Sequence, residues 1–464
     1  MSDPVVFDPD LIRRYDRQGP RYTSYPTAVQ FHGGFTERDY LACARASNAA
    51  APPAPLSLYF HIPFCATVCY YCACNKVVTR NRAHAQGYLD SLCLETERQG
   101  VLFDRSRRVE QLHWGGGTPT FLAEEQMQRL MDATRRHFTL LDGDAGEYSI
   151  EIDPRTVTPE KVRVLRELGF NRLSLGVQDF DARVQAAVNR IQSEAQTVEV
   201  MDAARAAGFR SISVDLIYGL PQQTVDSFAV TLERVLAAMP DRLSIFNYAH
   251  LPELFKTQRQ IDASALPPPD VKLRILQRTI ERLTAKGYVY IGMDHFARPD
   301  DELAIAQRDG RLTRNFQGYS THGGCDIVGL GMSAIGMVGD CYAQNERGLD
   351  DYRRRIADGG LAVFRGVRLT GDDYRRRDAI TRLICHFELD AAEFSHRHGI
   401  DFWSCFAAER AVLEPMMADG LVAVDDAGIH VKPAGRLLIR NICMVFDAYL
   451  RGEAQARPRY SKVI

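Results

Sequence analysis

HIPFCATVCYYCACNK, residues 61–76, follows directly on a short apolar run and carries the densest chemistry in the chain. Cys65, Cys69 and Cys72 stand in the spacing Cys-x3-Cys-x2-Cys, with Cys74 just beyond. Three thiolates so spaced can wrap one corner of a cubane, and soft sulfur selects an iron–sulfur cluster or zinc over hard cations. A zinc knuckle needs a fourth ligand of suitable spacing, and no second cysteine or histidine pair follows; His61 and Cys74 are the candidates left for that place. The other seven of the 11 cysteines are scattered singly, as buried small hydrophobes are. An odd total without a signal-peptide layout at the start points to a reducing compartment, the cytoplasm.

The apolar run before the motif, LSLYFH (56–61), is the first of six similar ones. VEQLHW (109–114), EYSIEI (147–152), RLSLGV (172–177), SISVDLI (211–217) and LSIFNY (243–248) read as further buried strands. Periodic segments of helical length separate them, which predicts right-handed βαβ units and a parallel sheet. The expected fold is α/β, a partial (β/α)6 TIM-like barrel whose functional groups gather at the C-terminal ends of the strands. The cysteine motif sits at such an end.

Three parts are expected along the chain. Residues 1–54 form a polar arm with one short helix near 36–48 and a Pro-rich end, expected to cover the active site. Residues 55–362 hold the barrel and an extension, including a helix over 270–287 and a Gly-rich stretch at 318–340. Residues 363–464 form a small, mainly helical C-terminal domain of three short helices and a hairpin at 421–431. Helices followed by a wing are also found in DNA-binding domains, but a cap packed on the barrel is the simpler reading.

Composition narrows the function. The chain has 464 residues, 45% hydrophobic and 25% charged, and 57 Lys plus Arg balance 59 Asp plus Glu. That excludes a general nucleic-acid or membrane-surface binder, and no apolar run reaches the ~18 residues a membrane span needs. Three thiolates leave one iron of a 4Fe–4S cluster without a protein ligand, free to chelate the amino and carboxylate groups of S-adenosylmethionine. HWGGGTPT (113–120) ends the second strand, where glycines admit a ligand to the backbone. Glu151 ends the third strand, and Gln178, Arg190 and Asp215 lie at or after the fourth and fifth. Together these make a site, although Arg190 and Asp215 could equally be an ion pair tying two loops.

At these residues the chain resembles the radical S-adenosylmethionine superfamily, and within it the oxygen-independent coproporphyrinogen III oxidases of haem biosynthesis. GPRYTSYPTA (19–28), CYYCACNK (69–76) and RNFQGYSTHGG (314–324) carry the narrower likeness. The resemblance implies an oxidoreductase with one 4Fe–4S cluster on Cys65, Cys69 and Cys72. It implies two S-adenosylmethionine molecules, one contacted by Tyr59, Gly116, Glu151 and Ile335, the other by Tyr71, Gly117, Thr118, Gln178, Arg190, Asp215 and Ala249. The implied reaction converts two propionates of coproporphyrinogen III to vinyl groups by a 5′-deoxyadenosyl radical. Tyr59, Glu151 and Arg21 are the expected catalytic residues, Arg21 because a guanidinium suits a propionate carboxylate. The implied partners are an electron donor and an acceptor, with no nucleic acid or membrane, and the expected state is a cytoplasmic monomer. Two other classes remain open at this point: a haem-trafficking relative without decarboxylase activity, and a redox protein using Cys74 as fourth ligand.

Overall fold

The computed structural model describes residues 5–451. Within them the chain forms two compact units, one drawn from residues 30–272 and 324–368, the other from residues 5–29, 273–323 and 369–451.

The first unit is built on the six anticipated strands: β1 (Leu56–Ile62), β2 (Arg108–Gly116), β3 (Glu147–Ile152), β4 (Arg172–Gln178), β5 (Ser211–Tyr218) and β6 (Arg242–Asn247). Each pairs in parallel with its sequence neighbour. Helices Ala83–Leu102, Glu124–His137, Pro159–Glu167, Glu194–Ala206 and Val225–Ala237 return the chain between them. Their starts are written locally. The Thr158, Ser193 and Thr224 hydroxyls accept from the backbone amides of Lys161, Gln196 and Ser227, which satisfies donors the first turn leaves open. Leu58, Phe60 and Trp114 are fully buried, as strands covered on both faces require.

The sheet does not stop at β1. A seventh parallel strand, β7 (Asp326–Leu330), pairs with it, and β8 (Ile335–Val338), β9 (Cys341–Asn345) and β10 (Val363–Arg368) continue it antiparallel. These arise from the Gly-rich stretch. A Cβ at Gly336 would stand 2.6 Å from the Ile327 carbonyl oxygen, and one at Gly329 would stand 2.9 Å from the Ile335 carbonyl carbon, so the glycines permit close strand approach.

The second unit holds helices Gly371–His386, Ala391–His398, Phe402–Cys405, Ala407–Ala418 and Ile439–Val445. The third expected C-terminal helix is thus two, broken where Phe406 leaves helical geometry (φ −119°, ψ 32°). The hairpin pairs Val422–Asp425 with Gly428–Val431, and Glu388–Asp390 adds an unanticipated third strand. Residues 5–29 belong to this unit. Tyr22 and Tyr25 are buried, the Tyr22 hydroxyl donates to Asp447 at 3.0 Å, and the Ala448 amide donates to the Tyr25 hydroxyl at 3.0 Å.

Candidate functional site

The C-terminal end of β1 leads straight into the cysteine loop. His61 Nε2 lies 2.9 Å from the Asn75 carbonyl, which can only accept, so Nε2 carries the hydrogen and Nδ1 accepts from the Tyr59 hydroxyl at 3.1 Å. Burial pushes the His61 pKa down, which keeps the ring neutral. The loop is pinned by its backbone: the Val77 and Thr79 amides donate to the Pro63 and Cys65 carbonyls, and the Cys72 amide donates to Cys69. Thr257 Oγ1 donates to the Cys72 carbonyl at 3.1 Å, and the Gln258 amide bridges the carbonyls of Tyr71 (3.1 Å) and Ala249 (3.2 Å). Tyr70 and Tyr71 anchor the loop in a cluster of Val184, Val188, Leu220, Tyr248 and Ile261. Ala249 therefore meets Tyr71 through one glutamine that no local pattern singles out.

The Gly115–Gly117 turn after β2 has no room for side chains. A Cβ at Gly116, whose φ is +112°, would sit 2.6 Å from the His61 ring, and one at Gly117 would sit 2.5 Å from the Pro63 carbonyl oxygen. The Gly116 amide donates to Glu151 Oε2 at 3.0 Å, while His113 Nε2 lies 3.4 Å from Oε1 and His113 Nδ1 lies 2.6 Å from Ser149 Oγ. Burial raises the carboxyl's pKa, but the His113 and Gly116 contacts outweigh it and hold Glu151 below the usual glutamate range. Glu151 stays an anion. Tyr59 stacks on His113 at 5.9 Å between ring centres, so Tyr59, His61, His113, Gly116 and Glu151 form one connected group at the ends of β1, β2 and β3. Ile335 opens β8; Tyr59 pairs with Gly329, whose missing side chain admits the Ile335 backbone.

A second group surrounds Cys69. Arg190 and Arg155 donate toward its sulfur at 3.5 and 3.7 Å, and Asp153 compensates both, 2.6 Å from Arg155 and 3.4 Å from Arg190. Arg190 pairs with Asp153 and not with Asp215, which removes the loop-tying reading. Asp215 instead receives Ser174 at 3.4 Å, and burial pushes it up to about 6 against the hydrogen bond from Ser244. Gln178 adopts a left-handed backbone (φ 69°), and Gly176 leaves 2.7 Å between its absent Cβ and the Gln178 amide nitrogen. Thr118 Oγ1 lies 3.5 Å from Cys65 Sγ. Asp153, Arg155 and His113 were missed in the sequence; the first two lie two and four residues beyond Glu151, and His113 lies three before Gly116.

Cofactor fit rests on orphaned groups. Gln178 Oε1, Arg190 Nε and Asn247 Oδ1, at the ends of β4 to β6 or in the loops after them, are buried without hydrogen-bond partners, a costly arrangement that a polar ligand would relieve. Among the described residues no three His, Cys, Asp or Glu side chains are gathered to hold a single metal ion. A cubane takes one thiolate per iron, so its ligands need not converge on one point, and three cysteines on one pinned loop suit it. Burial raises the Cys65 thiol to about 11, while hydrogen bonding from Cys74 and the charge of Lys76 lower Cys72. Arg21 lies in the other compact unit, where its guanidinium is ion-paired with Asp294.

Comparison with known proteins gives a consistent result. The Radical SAM superfamily model matches residues 59–235, and the HemN C-terminal domain model matches 369–438. Relatives named oxygen-independent coproporphyrinogen III oxidase include one from Pseudomonas aeruginosa, 56% identical over 100% of both chains, and one from Escherichia coli K12, 53% identical over 99% of each. A solved structure described as the E. coli coproporphyrinogen III oxidase HemN, a radical SAM enzyme, superposes with a TM-score of 0.92 at 51% identity, covering 96% of this chain and 100% of that one.

Proposed function

We propose how this site works from the premise that the chain belongs to the oxygen-independent coproporphyrinogen III oxidases of the radical SAM superfamily. Its reaction is the oxidative decarboxylation of two propionates of coproporphyrinogen III to vinyl groups, giving protoporphyrinogen IX, and its cofactors are a 4Fe–4S cluster and S-adenosylmethionine. When bound, the cofactors supply an electron to the sulfonium and so a 5′-deoxyadenosyl radical that takes a hydrogen from the propionate.

Cys65, Cys69 and Cys72 would hold the cluster, and the pinned backbone of their loop fixes where the three thiols stand. Glu151, anionic and oriented by His113 and the Gly116 amide, would receive the ammonium or ribose hydroxyls of the first S-adenosylmethionine. Tyr59, held by His61 and stacked on His113, and Ile335 would wall the same molecule. Arg190 would take the carboxylate of a second molecule, with Gln178 and Asp215 on its polar groups and Tyr71, Gly117, Thr118 and Ala249 about it. Arg21 would meet a substrate carboxylate by exchanging Asp294 for it. The observation that carries the whole is the three-thiol loop set beside a turn without side chains and a fixed carboxylate.

We assign the chain to the cytoplasm because all 11 cysteines are free. No described helix is long and apolar enough to cross a membrane. A monomer using an external electron donor and acceptor completes the reading. Reconstituted, reduced protein given coproporphyrinogen and S-adenosylmethionine without oxygen should yield vinyl product and 5′-deoxyadenosine together; 5′-deoxyadenosine without vinyl product refutes the substrate.

A further inference from the structure

The hairpin Thr313–Asn315/Gly318–Ser320 in the second unit carries an arginine, Arg314, that has no acidic partner among the described residues. Arg314 makes two contacts: its Nε donates to the Arg21 carbonyl at 3.4 Å, and its guanidinium lies over the Tyr319 ring at 4.6 Å. Its NH1 is buried and has no hydrogen-bond partner. On the same turn, the Gln317 side-chain nitrogen is also buried and unpartnered. The turn itself is fixed, since the Gln317 backbone amide donates to Asn315 Oδ1 at 2.8 Å and the Tyr319 hydroxyl donates to the Ile384 carbonyl at 3.0 Å. Nearby, the Arg21 guanidinium is ion-paired with Asp294, which makes no hydrogen bond or ion pair with Arg314 among the described residues.

A buried guanidinium nitrogen with nothing to donate to is costly, and a second unpaired donor beside it adds to the cost. Both orphaned atoms donate, so the missing group is an acceptor, and the uncompensated charge makes it an anion. A planar guanidinium matches a carboxylate through two parallel hydrogen bonds. We infer that Arg314 and Gln317 form a carboxylate site that binds a propionate of the porphyrinogen substrate. The inference rests on the substrate reading above and adds residues that reading does not use. Arg21 contributes through its backbone, since its carbonyl orients the Arg314 fork.

The test is equilibrium binding of coproporphyrin III, the air-stable aromatic analogue with the same propionates, to reconstituted protein, followed by fluorescence. R314Q should weaken binding tenfold or more, Q317L should weaken it less, and R314K should recover only part, because an ammonium lacks the fork. The tetramethyl ester, which offers no carboxylate, should bind the unmodified protein and R314Q alike. Removing a guanidinium with an unsatisfied buried nitrogen should leave the ligand-free R314Q protein melting no lower than the unmodified one. Equal affinity of R314Q and unmodified protein for coproporphyrin III overturns the site, as does a lowered melting temperature, which would make Arg314 structural. Unmodified protein that neither binds coproporphyrin nor converts coproporphyrinogen overturns instead the substrate reading beneath it.

Discussion

Replacing Arg190 with alanine separates cofactor binding from cluster assembly. Arg190 is 8% exposed and its Nε has no partner, while NH1 reaches Asp153 at 3.4 Å and Cys69 Sγ at 3.5 Å. If its free face binds a methionyl carboxylate, R190A removes hydrogen bonds to a charged group worth about 1.5–3 kcal/mol. That is roughly a 10- to 100-fold loss of affinity for the second S-adenosylmethionine. Asp153 keeps Arg155 at 2.6 Å, so its charge stays paired and the folding cost should stay nearer 1–2 kcal/mol than the ~3–5 kcal/mol of breaking a buried pair outright. Anaerobic equilibrium dialysis on reconstituted protein, with iron and sulfide counted in parallel, should give two molecules per chain for the unmodified protein and one for R190A, at equal iron. R155A should keep both. A stoichiometry of one in the unmodified protein, or of two in R190A, refutes the reasoning.

Serine at Cys65, Cys69 or Cys72 should abolish the cluster's visible absorption, whereas Cys74→Ser should retain it; a colourless Cys74→Ser protein would make Cys74 a ligand. Gly117→Ala should cost about 1–3 kcal/mol and lower cluster content, because its Cβ meets backbone that cannot yield; unaltered iron incorporation would contradict this. Glu95 is fully buried, accepts from the Gly331 amide, Asn345 and Tyr352, and is pushed by burial up to about 7. Its folded pKa exceeds the unfolded one, so it favours folding below pH ~4.5 and that contribution is lost as pH rises to 7, about 2–3 kcal/mol in all. Urea unfolding across this range should show the decline, and Glu95→Gln should flatten it.

What was legible in the sequence was local. EYSIEI and RLSLGV became β3 and β4 because buried strands between capped helices leave a pattern inside a few residues. The cysteine spacing and the glycine turn were legible for the same reason: each is one loop. Contacts closed by distant segments were not. Gln258 spans Tyr71 and Ala249, and β7 joins β1 across more than 260 residues of chain, with no mark on either partner. Asp153 as the partner of Arg190 depended on a side-chain direction that strand position alone does not give.

The tie between Tyr22 and Asp447 sets a schedule for the chain's birth. Tyr22 leaves the ribosome early, but its acid partner follows 425 residues later. At about 5–20 residues per second, roughly 20 to 80 s separate them. Through that interval the barrel segment 30–272 can fold, while Tyr22 and Tyr25 wait unburied for residues that do not yet exist. Tyr22 and Tyr25 are thus placed only after a segment more than 420 residues downstream has been made, and a nascent chain stalled before 440 exposes two aromatic side chains to any chaperone that reads them.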